Sequence, residues 1–213
     1  MSLTESLIIA SVVSGFLPVL ASLYNYRNLD KVLKIAAIYF LASVASDLVM
    51  QVMKNSGQPN NWPVIHIYIA LSMLSLGAMY YYAFFNLLFK KTIFWVTLLA
   101  FVSICVDSIF IEGIWDYPSI SNTILNIVML CFSLIYFYQL LNRQEFVHIE
   151  KQALFWINAG ILFYFSINIF LFMLFKRMLN EHQESFYIIN DITNIIANIL
   201  FTIGLLCKPQ KVT

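Results

Sequence analysis

Seven long apolar stretches occupy most of this chain, and no other feature limits its fold so severely. About 20 apolar residues in helical form are long enough to cross the hydrocarbon layer of a bilayer. The stretches run Leu7–Tyr24, Val32–Met53, Trp62–Leu88, Thr92–Ile111, Ile120–Leu141, Ala153–Phe175 and Phe186–Cys207. Inside lipid every backbone N–H needs a partner within its own helix or a closed sheet, so these runs predict helices. Strands of a membrane barrel would alternate apolar and polar side chains, and these stretches do not. The expectation is an all-α polytopic membrane protein with seven transmembrane helices in a single domain, 1–213.

Composition agrees. The chain is 61% hydrophobic and 11% charged, against about 25% charged in soluble domains. A net charge of +1 provides no field to attract nucleic acid, which is excluded as a partner. Membrane lipids are the expected surroundings, in a cell membrane of the bacterial inner-membrane kind. No basic residue precedes Leu7, so the first span reads as a retained helix, not a cleaved signal. Short connections join the spans: Asn25–Lys31, Asn55–Asn61 with Gly57 and Pro59, Lys90–Lys91, Glu112–Pro118, Asn142–Lys151 and Lys176–Glu184.

Loop charges give the orientation. With the N-terminus outside, the inner segments hold Arg27, Lys31, Lys34, Lys90, Lys91, Arg143, Lys151, Lys208 and Lys211. The outer segments hold only Lys54, Lys176 and Arg177 of the 12 Lys and Arg. The positive-inside rule therefore predicts N-out and C-in.

Orientation turns position into depth. Asp47, Gln51, His66, Asp107, Asn122, Asn126, Asn168, Asn190, Asp191 and Asn194 all fall in outer halves of spans. The inner halves hold Asn158, with Asn86 and Gln139 near the ends. Ser43, Asp47 and Gln51 follow one another at i, i+4 and i+8, and Asn190, Asn194 and Asn198 do the same, so each trio shares a helix face. Carboxylates in hydrocarbon turn inward and seek partners. An outward-facing polar cavity is predicted, with Asp47, Gln51, His66, Asp107, Asn126, Asn168, Asn190, Asp191 and Asn194 as ligand-binding residues. The plainer role for any one Asn is to join helices, at about 1 kcal/mol or less per hydrogen bond. Asp47 and Asp107 are the residues whose neutralisation should abolish a ligand response while the fold survives.

A repeat runs through these positions. Asp47 and Asp107 are 60 residues apart, and so are His66 and Asn126. Phe94-Trp95 precedes Asp107 as Phe155-Trp156 precedes Asn168. The offsets predict one helix followed by three copies of a helical hairpin.

Several chemistries find no support. No span holds an interior lysine for a retinal Schiff base. Of three histidines, His148 and His182 fall in opposite loops, and no HExxH or HxxxH motif marks a zinc site. Neither a P-loop nor GxGxxG occurs. Cys105, Cys131 and Cys207 lie within spans without a CxxC pair and read as small apolar fillers. No catalytic residue, metal or cofactor is assigned. Ionisable residues in the spans stop in the outer half, short of a full proton relay.

Three segments carry a resemblance: Asn60-Asn61-Trp62 through His66-Ile67-Tyr68, Phe155-Trp156-Ile157-Asn158-Ala159-Gly160 through Tyr164, and Asn194-Ile195 with Leu206-Cys207-Lys208. They resemble uncharacterised bacterial multi-span membrane proteins, and the membrane sensor regions that precede histidine kinases. Those relatives carry an acidic residue about where Ser72 stands. The resemblance implies a sensor or binding protein for a small or lipidic ligand. No kinase follows Thr213, so it also implies a separate intracellular signalling partner. Two other expectations stand beside it: an intramembrane lipid-modifying hydrolase using Asp47, His66 and Asp107, and a small transporter.

Overall fold

The structure, a computed structural model, describes residues 3–58, 60–142, 149–181 and 183–207, with only the helical backbone described within 172–187. Pro59, Arg143, His148, His182, Lys208 and Lys211 lie outside the described residues, as do the side chains of Lys176 and Arg177. The described residues are all-helical, without a strand. The helices are α1 (Leu3–Tyr24), α2 (Lys31–Asn55), α3 (Trp62–Ala83), α4 (Leu87–Val106), α5 (Ser119–Leu141), α6 (Ala153–Glu181) and α7 (Gln183–Leu206). All seven are long and apolar enough to cross a membrane. Their outward faces suit lipid: Leu20, Ile38, Leu99, Leu134 and Ile199 are all exposed, which a water-soluble surface of this size would avoid.

Short connectors make consecutive helices antiparallel. Helices α1, α2, α3, α5, α6 and α7 close into a ring, with α7 packed extensively on both α1 and α6. Helix α4 lies outside, against α3 and α5. Small residues allow the close contacts. A Cβ added at Gly204 would lie 2.7 Å from the Ala153 carbonyl oxygen, so α6 and α7 approach backbone to backbone there.

The third span ends earlier than its apolar run implies. The break falls at Phe84–Asn86, not at Lys90–Lys91, and both lysines lie in the first turn or so of α4. Asn86 causes this. Its side-chain oxygen accepts from the Leu88 N–H at 2.8 Å and starts a new helix. Asp30 caps α2 in the same way, accepting from Leu33 N–H at 2.8 Å.

A packed aromatic layer lies toward the end of the bundle where α1 and α7 finish, called the C-terminal end below. Tyr80, Phe84, Phe132 and Tyr136 form an aromatic cluster there, with Tyr80 and Phe132 edge-to-face at 5.6 Å between centroids. Asn158 is buried among them and saturated. Its carbonyl oxygen accepts from Tyr80 OH at 2.6 Å, its Nδ2 donates to the Ser133 carbonyl at 3.1 Å, and Ser133 Oγ donates to the Asn158 carbonyl at 3.2 Å.

Candidate functional site

The other half of the ring is hollow. A cavity of about 240 Å³ lies between α2, α3, α5, α6 and α7. Its polar wall consists of Ser43 and Asp47 on α2, Asn122 and Asn126 on α5, Asn190, Asn194 and Asn198 on α7, and four tyrosines. Tyr39 comes from α2, Tyr68 from α3, Tyr164 from α6 and Tyr117 from the α4–α5 loop. Phe40 and Phe201, whose rings meet at 4.7 Å, are its deepest members by helix position. Helices α1 and α4 contribute nothing to the lining.

Hydrogen bonds order part of this wall. The Tyr39 and Tyr68 hydroxyls are 3.2 Å apart, and Tyr68 OH reaches Ser43 Oγ at 3.5 Å. Asn194 Nδ2 donates to Ser11 Oγ at 3.2 Å and Asn198 Nδ2 to Ser14 Oγ at 3.0 Å, both on α1. These two asparagines therefore join helices as well as facing the cavity.

Asp47 differs from all of them. Its carboxylate is half-buried, and among the described residues no hydrogen-bond donor or cation is placed on it. Tyr39, Tyr68 and Tyr164 line the same cavity. Asn126 Nδ2 is also buried without a partner.

Four of the nine residues expected to bind ligand line this cavity: Asp47, Asn126, Asn190 and Asn194. The other five lie elsewhere. Gln51 is exposed in a cleft between α1 and α2, outside the cavity, donating to Asn55 Oδ1 at 3.3 Å. Asp191 is buried away from the cavity, with its Oδ2 unpaired among the described residues. Asn168 is fully buried one helical turn past Tyr164, with neither amide atom paired among the described residues.

Asp107 is occupied by the fold. Helix α4 widens at its end into a π-type turn over Asp107–Ile111, closed by Glu112 N–H donating to the Asp107 carbonyl at 3.1 Å. The turn places the Asp107 carboxylate at the start of α5, where it accepts from both N–H and Oγ of Ser121. Glu112 Oε2 accepts the adjacent Ile120 N–H at 3.0 Å. Two acids thus cap the positive end of α5.

His66 is also occupied. Its Nε2 donates to the Asp116 carbonyl at 3.1 Å, and its Nδ1 pairs with Ser108 Oγ at 2.8 Å. Asn60 Nδ2 donates to the Trp115 carbonyl at 2.7 Å, and the Trp62 and Tyr117 rings pack edge-to-face at 5.2 Å. His66 therefore fastens the loop that carries Tyr117 to the cavity without lining it. Asp47, His66 and Asp107 do not converge, and among the described residues no three His, Cys, Asp or Glu side chains are grouped to hold a metal ion. The pairs related by the 60-residue offset occupy unlike surroundings: Asp47 and Asn126 face the cavity, while Asp107 and His66 are fixed in contacts between elements.

The tyrosines, Ser43, Asn122 and Asn198 are the polar lining residues absent from the expected nine. A signal existed for the tyrosines: Tyr39 lies four residues before Ser43, and Tyr164 four before Asn168. In a chain with 12 Tyr, that spacing does not separate a cavity wall from an interfacial belt. The chain matches no protein-family model, no curated protein and no solved structure. Its function must be argued from this geometry.

Proposed function

We propose that this chain is a membrane sensor or binding protein that takes a small ligand into the cavity around Asp47. The single observation behind this reading is a half-buried carboxylate without a partner, facing a partly open cavity of mixed polar and apolar lining. A charge left so inside a membrane protein usually belongs to a substrate, ion or ligand site. In the orientation set by the loop charges, the cavity faces outward. The ligand's arrival then shifts helices against the packed layer around Asn158, and a separate intracellular protein receives the change at the far end. The reading includes residence in a bacterial inner membrane.

Thiol labelling tests it. Ser43→Cys, in a chain freed of its native cysteines, should react in intact cells with a membrane-impermeant reagent. Ser133→Cys, in the packed layer, should stay unlabelled. Absence of labelling at position 43, or labelling only from the cytoplasmic side, refutes an outward cavity.

One observation favours transport as a second reading. Another cavity of about 230 Å³ lies at the C-terminal end, lined by Asp30, Tyr136, Gln139 and Lys151 among others. Two vestibules separated by a packed layer are what alternating access requires. Uptake into proteoliposomes of a ligand that binds would establish it.

A further inference from the structure

We infer that the cavity recognises an organic ammonium ion, with Asp47 as counter-ion and the surrounding tyrosine rings as its wall. This inference rests on the binding reading above and names the chemical class of its ligand.

Charge comes first. Among the described residues, Asp47 is the only ionisable acid or base on the lining apart from tyrosines, and no Lys, Arg or His joins it there. An anionic ligand would meet an uncompensated like charge. A neutral ligand would leave the carboxylate unpaired, as it now stands. A cation satisfies it.

Size and wall chemistry narrow the cation. A bare metal ion requires several oxygen ligands at short range, and the described residues bring one carboxylate into about 240 Å³. The volume suits a small organic molecule. Tyr39, Tyr68 and Tyr164 supply aromatic rings to the same cavity wall as Asp47. Rings gathered around an acid are the usual means of holding alkylated ammonium groups, which hydrogen-bond poorly and bind aromatic faces well. Asn122 and Asn190 on the same wall offer amide groups to polar atoms elsewhere on the ligand.

The ammonium group has two sources, a soluble amine or the head of an amphiphile. Asp47 also lines a cleft between α1 and α2, where Ile9, Val12, Val13 and Leu48 face it and Gln51 and Lys54 stand further along α2. These two helices touch far less than α1 and α7 do. Asp47 therefore stands where the cavity meets a lipid-facing seam, and an alkyl chain attached to the ammonium has a path outward.

The experiment uses the full chain in lipid nanodiscs and reads ligand-dependent thermal stabilisation and calorimetric affinity. The probes are choline, its uncharged carbon isostere 3,3-dimethylbutan-1-ol, acetate, and alkyltrimethylammonium ions of increasing chain length. Choline should bind about tenfold or more tighter than the isostere, and Asp47→Asn should remove that preference. Tyr164→Leu should weaken choline binding while Tyr164→Phe preserves it, because the ring and not the hydroxyl is used. Affinity that climbs with chain length identifies the amphiphile as source; a flat series identifies the soluble amine. Unliganded unfolding of each variant shows whether it has folded. Equal affinity for choline and its isostere, or preference for acetate, overturns the ammonium inference while leaving the cavity standing. No binding by any ammonium probe overturns it as well, and failure of the Ser43→Cys labelling separately removes the binding reading.

Discussion

The two polar layers of the bundle use the same residue types for opposite ends. Near the C-terminal end, Asn158, Ser133 and Tyr80 complete one another's hydrogen bonds inside an aromatic cluster. Near the N-terminal end, Asp47 faces open volume without a partner, and among the described residues Asn126 Nδ2 is buried without one. A saturated layer resists change and fixes one packing, whereas an unsaturated one costs stability until something enters. The same division separates the two carboxylates. Asp107 caps α5, and Asp47 caps nothing.

The largest test removes the saturated layer. Asn158→Leu should lower stability by about 2–3 kcal/mol, because it strands the Tyr80 hydroxyl and the Ser133 carbonyl among aromatic rings. Thermal unfolding in detergent measures it. A loss under half of that would mean the lower layer is as loosely satisfied as the upper one. Next in size is Asp107→Ala, expected to cost about 1–2 kcal/mol through the lost cap on α5. Exchange of amide hydrogens should quicken first at Ile120 and Ser121. If Asp107→Ala unfolds like the parent, the cap is ornamental, and Asp107 returns as a cavity candidate.

Much of the fold was legible because lipid imposes a crude rule. Length and apolarity alone located seven helices, and the Asn86 break was misplaced because a three-residue turn between Phe84 and Asn86 interrupts no apolar run. The site was half legible. Helical spacing grouped Ser43 with Asp47 and Asn190 with Asn194, and both pairs line the cavity. Spacing says which residues share a face, but not which neighbour that face meets. Asp107 and Ser121 meet through the wide turn at the end of α4, a local irregularity that periodicity does not encode. His66 meets a loop carbonyl, and backbone partners are invisible to any search for side-chain constellations. Gln51 follows Asp47 by one turn and shares its cleft toward α1, but not the cavity, a difference that spacing alone does not show.

The smallest expected effect cuts most directly between the two layers. Asn126→Leu exchanges one side chain for another of similar reach and removes a buried donor that has no acceptor. Deleting an unpaired polar group in favour of an apolar one should change stability by within about 0.5 kcal/mol, and any change should favour the folded state. The matched substitution at Asn158 has the opposite sign and several times the size. Both are buried asparagines on inward helix faces, so burial and residue type are held constant and only the state of the amide differs. Equal losses from the two variants, measured by the same unfolding assay, would show Asn126 to be fully bonded in the folded protein and the upper layer to be closed. A null or stabilising result at Asn126 shows that its amide nitrogen goes unpaired in the folded protein and that the layer around it is unsaturated.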